Sequence, residues 1–91
     1  MQFSIPPDHP SLPGHFPGRP IVPGVVLLER VLEAVAAHGG PDAGWRLPQV
    51  KFVRPLLPGQ TATVEVEGAA PRWRFRVLRG AELLASGEVA T

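Results

Sequence analysis

Proline placement leaves the first forty residues of this 91-residue chain one stretch in which a helix can both start and finish. Pro6, Pro7, Pro10, Pro13, Pro17, Pro20 and Pro23 crowd the first quarter, and each fixes φ and removes an amide donor. Ahead of them only Met1 to Ile5, with Phe3 and Ile5 alternating around Ser4, reads as a short leading strand. The next interval predicts a helix over Val25 to about Ala37. Pro23 and Gly24 sit where a helix start tolerates them, and Gly39-Gly40-Pro41 ends it. Val25, Val26, Leu27, Leu28, Val31, Leu32, Ala34, Val35 and Ala36 make it apolar nearly all round, so burial on most sides is expected.

Beyond Gly40 the period changes to two. Trp45 to Arg54 reads as a strand with an irregular start at Leu47-Pro48, and Pro55-Leu56-Leu57-Pro58-Gly59 as a bend. Thr61 to Glu67 sets Ala62, Val64 and Val66 on one face; Arg72 to Val77 sets Trp73, Phe75 and Val77 inward. Arg79-Gly80-Ala81-Glu82 turns the chain into a last strand, Leu83 to Ala90. Three strands joined by short turns form an antiparallel meander. The expected architecture is a single α+β domain over residues 1–91, an antiparallel sheet wrapped around one central helix.

Composition then narrows function. The chain has no cysteine, which excludes disulfides, thiolate metal sites and a cysteine nucleophile. A net charge of +1 gives no electrostatic case for nucleic acid or an anionic membrane surface. Arg72, Arg74, Arg76 and Arg79 form a stripe, but Glu65 and Glu67 on the preceding strand are the expected cross-strand partners, making this a solvated, paired face. No apolar run reaches the roughly 20 residues of a membrane span, and no signal-peptide pattern opens the chain. A cytoplasmic location is expected. A chain this small buries a limited core, so pairing with a second chain is expected to add burial.

The candidate chemistry lies around Gly14-His15-Phe16-Pro17-Gly18-Arg19-Pro20-Ile21-Val22-Pro23-Gly24, a rigid loop that runs into the helix carrying Glu29. Histidine suits proton transfer near neutral pH. Burial of Glu29 in an apolar helix would favour its protonated, proton-donating form, and Glu33 one turn on would reinforce this. The Gly24 amide, at the helix N-terminus, lacks an intrahelical acceptor and could polarise a carbonyl. On residue types alone, an acid/base pair and a pair of purely structural residues both remain open.

Gly14-His15-Phe16-Pro17-Gly18-x-Pro20-Ile21-x-Pro23-Gly24-Val25-x-x-x-Glu29 resembles the active-site signature of the β-hydroxyacyl-acyl carrier protein dehydratases, which have the hotdog fold. The step from His15 to Glu29 is similar to the glutamate-containing branch. Val50-Lys51-Phe52-Val53-Arg54-Pro55-x-x-Pro58-Gly59 resembles the family's next strand and bend. The resemblance implies that His15 is the base at the α-carbon and that Glu29 protonates and orients the departing β-hydroxyl. It implies that the Gly24 amide holds the thioester oxygen, with Phe16, Val22 and Val25 lining the substrate path. It further implies an acyl carrier protein or coenzyme A thioester substrate on a phosphopantetheine arm, in fatty acid or polyene/polyketide-type biosynthesis, and no metal or redox cofactor. The expected assembly is a homodimer whose sites take His15 and Glu29 from different subunits; a heterodimer with another hotdog chain is the variant. The alternatives are a non-catalytic or partner-dependent hotdog subunit and a hotdog acyl thioesterase. The chain is a compact member, and it departs from the pattern at Glu33, where glutamine is usual, and at Gln60, where an acidic residue is usual. Arg30 and Glu33 are spaced to pair. His9 and His38 have no expected role.

Overall fold

A computed structural model describes residues 1–8, 21–41 and 43–91. The leading segment forms β1 (Gln2–Ser4), and the predicted helix is α1 (Gly24–Ala37). Four strands follow: β2 (Arg46–Phe52), β3 (Thr61–Ala69), β4 (Arg72–Arg79) and β5 (Glu82–Ala90). All five strands make one antiparallel sheet in the order β1-β3-β4-β5-β2. The meander β3-β4-β5 is its centre, and α1 packs across β3 and β4. This is the hotdog architecture.

Alternation builds the inner face. Ala62, Val64, Trp73, Phe75, Val77 and Val89 are buried, each from the set of positions that points to one side of its strand. Against them α1 buries Val26, Leu27, Val31, Ala34 and Val35. Burying each of the larger side chains is worth about 1.5–3 kcal/mol, so this layer is the main source of stability. A bulge interrupts β5: Val77 faces Ala85 while Leu78 faces Leu83, leaving Leu84 as the extra residue. The Leu84 carbonyl accepts from the Val53 amide at 2.8 Å and the Arg54 amide at 3.2 Å. Those two bonds draw the chain out of β2, so the strand ends two residues earlier than its pattern suggested. At the other end of β2 the register shifts between Arg46 and Gln49, where Pro48 has no amide to give to the ladder.

The helix ends through its own carbonyls. The Gly40 amide donates to Val35 O at 2.8 Å and the Gly39 amide to Ala36 O at 3.1 Å, with Gly39 at φ +90°. This is a Schellman closure, and the left-handed residue it requires is where glycine costs least.

One expectation is corrected. The helix is not buried on most sides: Val25, Glu29, Glu33 and Ala37, four residues apart, form an exposed stripe on the face away from the sheet. A single sheet covers only one face of a helix, and nothing among the described residues covers the other. Val25 keeps 63% of its surface exposed.

Two arginines of the stripe face their expected partners on β3, and two pair elsewhere. Arg76 pairs with Glu65, and Arg74 stands opposite Glu67 in the register. Arg72 instead reaches Glu88 on β5 at 3.1 Å. Arg79 bonds Glu82 across the β4-β5 turn and Arg54 approaches the same carboxylate at 3.4 Å. The hydrogen bond from Arg79 holds Glu82 below its ordinary pKa of 4.5; desolvation opposes it, and the charges of Arg79 and Arg54 add to the lowering. A carboxylate lowered in the folded state stabilises above its unfolded pKa and loses that contribution as pH falls through the folded value. Glu82→Gln is therefore expected to flatten the acid side of the stability profile while leaving it nearly parallel to wild type at neutral pH, as read by thermal unfolding across a pH series.

Candidate active site

Pro23 caps α1 without a side-chain hydrogen bond. The Val26 and Leu27 amides donate back to Pro23 O at 3.0 and 3.3 Å, whereas the Gly24 and Val25 amides have no acceptor among the described residues. The Phe52 ring lies over Gly24: a Cβ there would sit 2.7 Å from the ring's Cζ. Ring and helix start form the walls of a groove of about 350 Å³, lined by Ile21, Val22, Gly24, Leu27, Phe52 and Val53. Val22 is buried, and its amide donates to Leu56 O at 2.8 Å, fastening the helix entry to the bend after β2. Gln60 holds that bend, its Oε1 accepting from the Leu57 amide at 3.0 Å and from Arg79 at 2.7 Å.

Glu29 lies on the exposed stripe of α1, so the burial expected for it is not supplied by its own chain. It lines a second groove, of about 390 Å³, with Leu32, Glu33, Ala36, Pro41 and Trp45. Glu33 is turned aside by Arg30, as its spacing predicted, at 2.8 Å. Gly24 and Glu29 therefore open into different grooves of one chain. His15 and Phe16, with the loop from His9 to Pro20, lie outside the described residues. Among the described site residues, Val22 and Gly24 share the first groove, Glu29 has the second, and Val25 stands exposed one turn before Glu29.

Sequence reasoning gave no role to Phe52 or Trp45, the apolar walls of the two grooves. A signal for Phe52 was present: it continues the face of Val50 to the last paired position of β2, opposite Ala85. Another hollow, of about 600 Å³, lies elsewhere, among Glu67, Gly68, Arg72, Arg74 and Glu88. Four of those five residues carry charges, two of each sign. Among the described residues no cluster of acidic or histidine side chains could hold a metal, and no helix is long and apolar enough to cross a membrane.

A five-stranded antiparallel sheet wrapped on one helix, with a carboxylate on the helix's open face, makes this chain a hotdog protein, and known proteins resemble it in sequence and in fold. The ApeI-like family model, described as ApeI dehydratase, matches residues 1–88. The 3-hydroxyacyl-acyl carrier protein dehydratase FabZ of Symbiobacterium thermophilum is 37% identical over 81 residues, covering 80% of this chain and 57% of that protein. FabZ of Desulforamulus reducens is 34% identical over 95 residues, covering 90% and 67%. The chain thus spans 57% to 67% of the length of these two relatives. Among solved structures, the dehydratase heterocomplex ApeI:P from Xenorhabdus doucetiae matches with a TM-score of 0.79 at 26% identity, over 98% of this chain and 81% of that one. The fluoroacetyl-CoA thioesterase FlK, at 22% identity and a TM-score of 0.61, covers 99% of this chain and 81% of its own, and shares the fold. The chain belongs to the ApeI-like dehydratase family.

Proposed function

We propose that this chain dehydrates a β-hydroxyacyl thioester to the trans-2-enoyl thioester. The observation that carries the reading is the placement of Glu29 on the open face of α1, within a family whose matched relatives are named dehydratases. His15 takes the α-proton, and the C–H electron pair becomes the new C=C bond. Glu29 gives its proton to the β-hydroxyl as the C–O bond breaks, and water leaves. The Gly24 amide donates to the thioester oxygen, where negative charge develops. The reaction is redox-neutral, and a proton donor and acceptor suffice for it. The acyl group is carried as a phosphopantetheine thioester, on acyl carrier protein or coenzyme A.

Two chains complete the site. Glu29 and Gly24 open into different grooves, and the stripe Val25-Glu29-Glu33-Ala37 is unfilled, so a second copy packed on this stripe would bring the halves together and desolvate Glu29. The outer edge of β2, which among the described residues pairs only with β5, gives the sheet a place to continue into that copy. A heterodimer is the second reading, and a specific observation favours it: a two-fold axis along the stripe would bring Glu29 and Glu33 of two identical chains near one another. The related ApeI:P dehydratase was solved as a heterocomplex.

The product decides the reaction. With purified protein and a β-hydroxyacyl thioester, growth of enoyl absorbance without release of thiol is the expected result. Free thiol without enoyl product would transfer the reading to a thioesterase. Light scattering on the eluted protein is expected to give the mass of two chains; a monomer that gains activity only with another hotdog chain would establish the heterodimer.

A further inference from the structure

We infer that Trp45 sets the length of acyl chain this site accepts. The inference rests on the role proposed for Glu29. If Glu29 reaches the hydroxyl on the β-carbon, the rest of the acyl chain is bonded to that same carbon and must leave alongside the carboxylate. The groove that Glu29 itself lines has an apolar wall leading away from it: Leu32, then Ala36, then Pro41 and Trp45. Arg30 holds the Glu33 carboxylate at 2.8 Å, so the second acidic residue of this groove, beside Glu29, has a partner of its own. From Glu29 to Ala36 the helix rises by about 10 Å, which is the run available before the connection between α1 and β2 crosses the path. Pro41 and Trp45 belong to that connection. Trp45 is 39% exposed and is not among the core residues, whereas Trp73, the other tryptophan, is 3% exposed and built into the sheet's inner face. An indole left at the end of an apolar groove has an unused face to offer a chain terminus, and its bulk closes the groove to longer ones.

The test compares wild type, Trp45→Ala, Trp45→Leu and Trp45→Phe on β-hydroxyacyl thioesters of increasing length. Wild-type kcat/KM is expected to fall beyond one length. Trp45→Ala is expected to raise kcat/KM for the chains past that limit, relative to that for the shortest substrate, by about ten- to a hundredfold, with Trp45→Phe close to wild type. If Trp45→Ala does not fold, Trp45→Leu carries the comparison. Length profiles that stay parallel to wild type in the smaller variants overturn the inference. A second readout is independent of turnover: titration with an unreactive acyl-pantetheine ether is expected to change tryptophan emission in wild type and not in Trp45→Phe, where only Trp73 reports. An equal response in both proteins also overturns it. Failure of the dehydratase reading would look different, as absence of enoyl product at every length, with the emission titration still showing whether the chain enters the groove.

Discussion

Glutamine in place of Glu29 is expected to lower kcat/KM for dehydration by about 10²–10⁴-fold, the range associated with loss of a positioned general acid. Stability is expected to stay within about 0.5 kcal/mol of wild type, because Glu29 is exposed in its own chain and is not a member of the ion pairs among the described residues. His15→Ala should lose activity over the same range. The informative experiment mixes the two inactive proteins. If a homodimeric site takes His15 from one chain and Glu29 from the other, random exchange of subunits makes half of the dimers mixed. Each mixed dimer has one intact site and one doubly damaged site, so about a quarter of wild-type activity should return. Recovery should follow the rate of subunit exchange and be absent when either variant is incubated alone. A mixture as inert as its components would place both groups in a single chain, and that would require the loop bearing His15 to cross the exposed stripe of its own helix.

Those variants probe the part of the site that sequence reasoning placed least well. The limits of α1, the meander and the inward set Trp73, Phe75 and Val77 were legible, because local period and turn residues dictate them whatever lies far away in the chain. The open face of the helix was not. Val25, Leu28 and Leu32 look alike in a sequence whether an apolar helix is enclosed by its own sheet or left to meet a second chain; only the count of covering layers decides, and that is a property of the whole fold. The position of β2 was hidden for a similar reason. It lies beside β5, the last strand, and neither its partner nor the carbonyl of Leu84 that ends it is local. Gln60 is a third case. In the sequence it was only a departure from a family pattern; in the fold its side chain bonds Leu57 and Arg79 and fixes the bend to which Val22 is tied. The charge that an acidic residue would supply is replaced by a neutral acceptor, while Arg79 also donates to Pro55 O at 3.2 Å and, from Nε, to Glu82 at 3.2 Å.

Alanine in place of Gly24 is expected to damage activity more than stability, and the reason lies in what the new Cβ meets. It would sit 2.7 Å from Cζ and 3.1 Å from Cε1 of Phe52, closer than a side-chain carbon tolerates. The ring tip is the far end of a side chain that is 51% exposed, so it has room to swing aside. The overpacking cost should therefore fall toward the low end of about 1–3 kcal/mol. Activity is less forgiving: a displacement of this size at the helix start moves one wall of the groove holding the Gly24 amide, and misplacement by about 1 Å costs on the order of 10²-fold. Phe52→Ala separates the two contributions. Combined with Gly24→Ala it removes the clash, so the double variant should be more stable than the sum of the single losses by about 0.5 kcal/mol or more, as measured by chemical denaturation. If the ring is what misaligns the groove, kcat/KM in the double variant should match that of Phe52→Ala alone. If instead the methyl group turns or covers the amide directly, stability should recover while kcat stays low, and the helix start itself would then be the element that cannot accept a side chain.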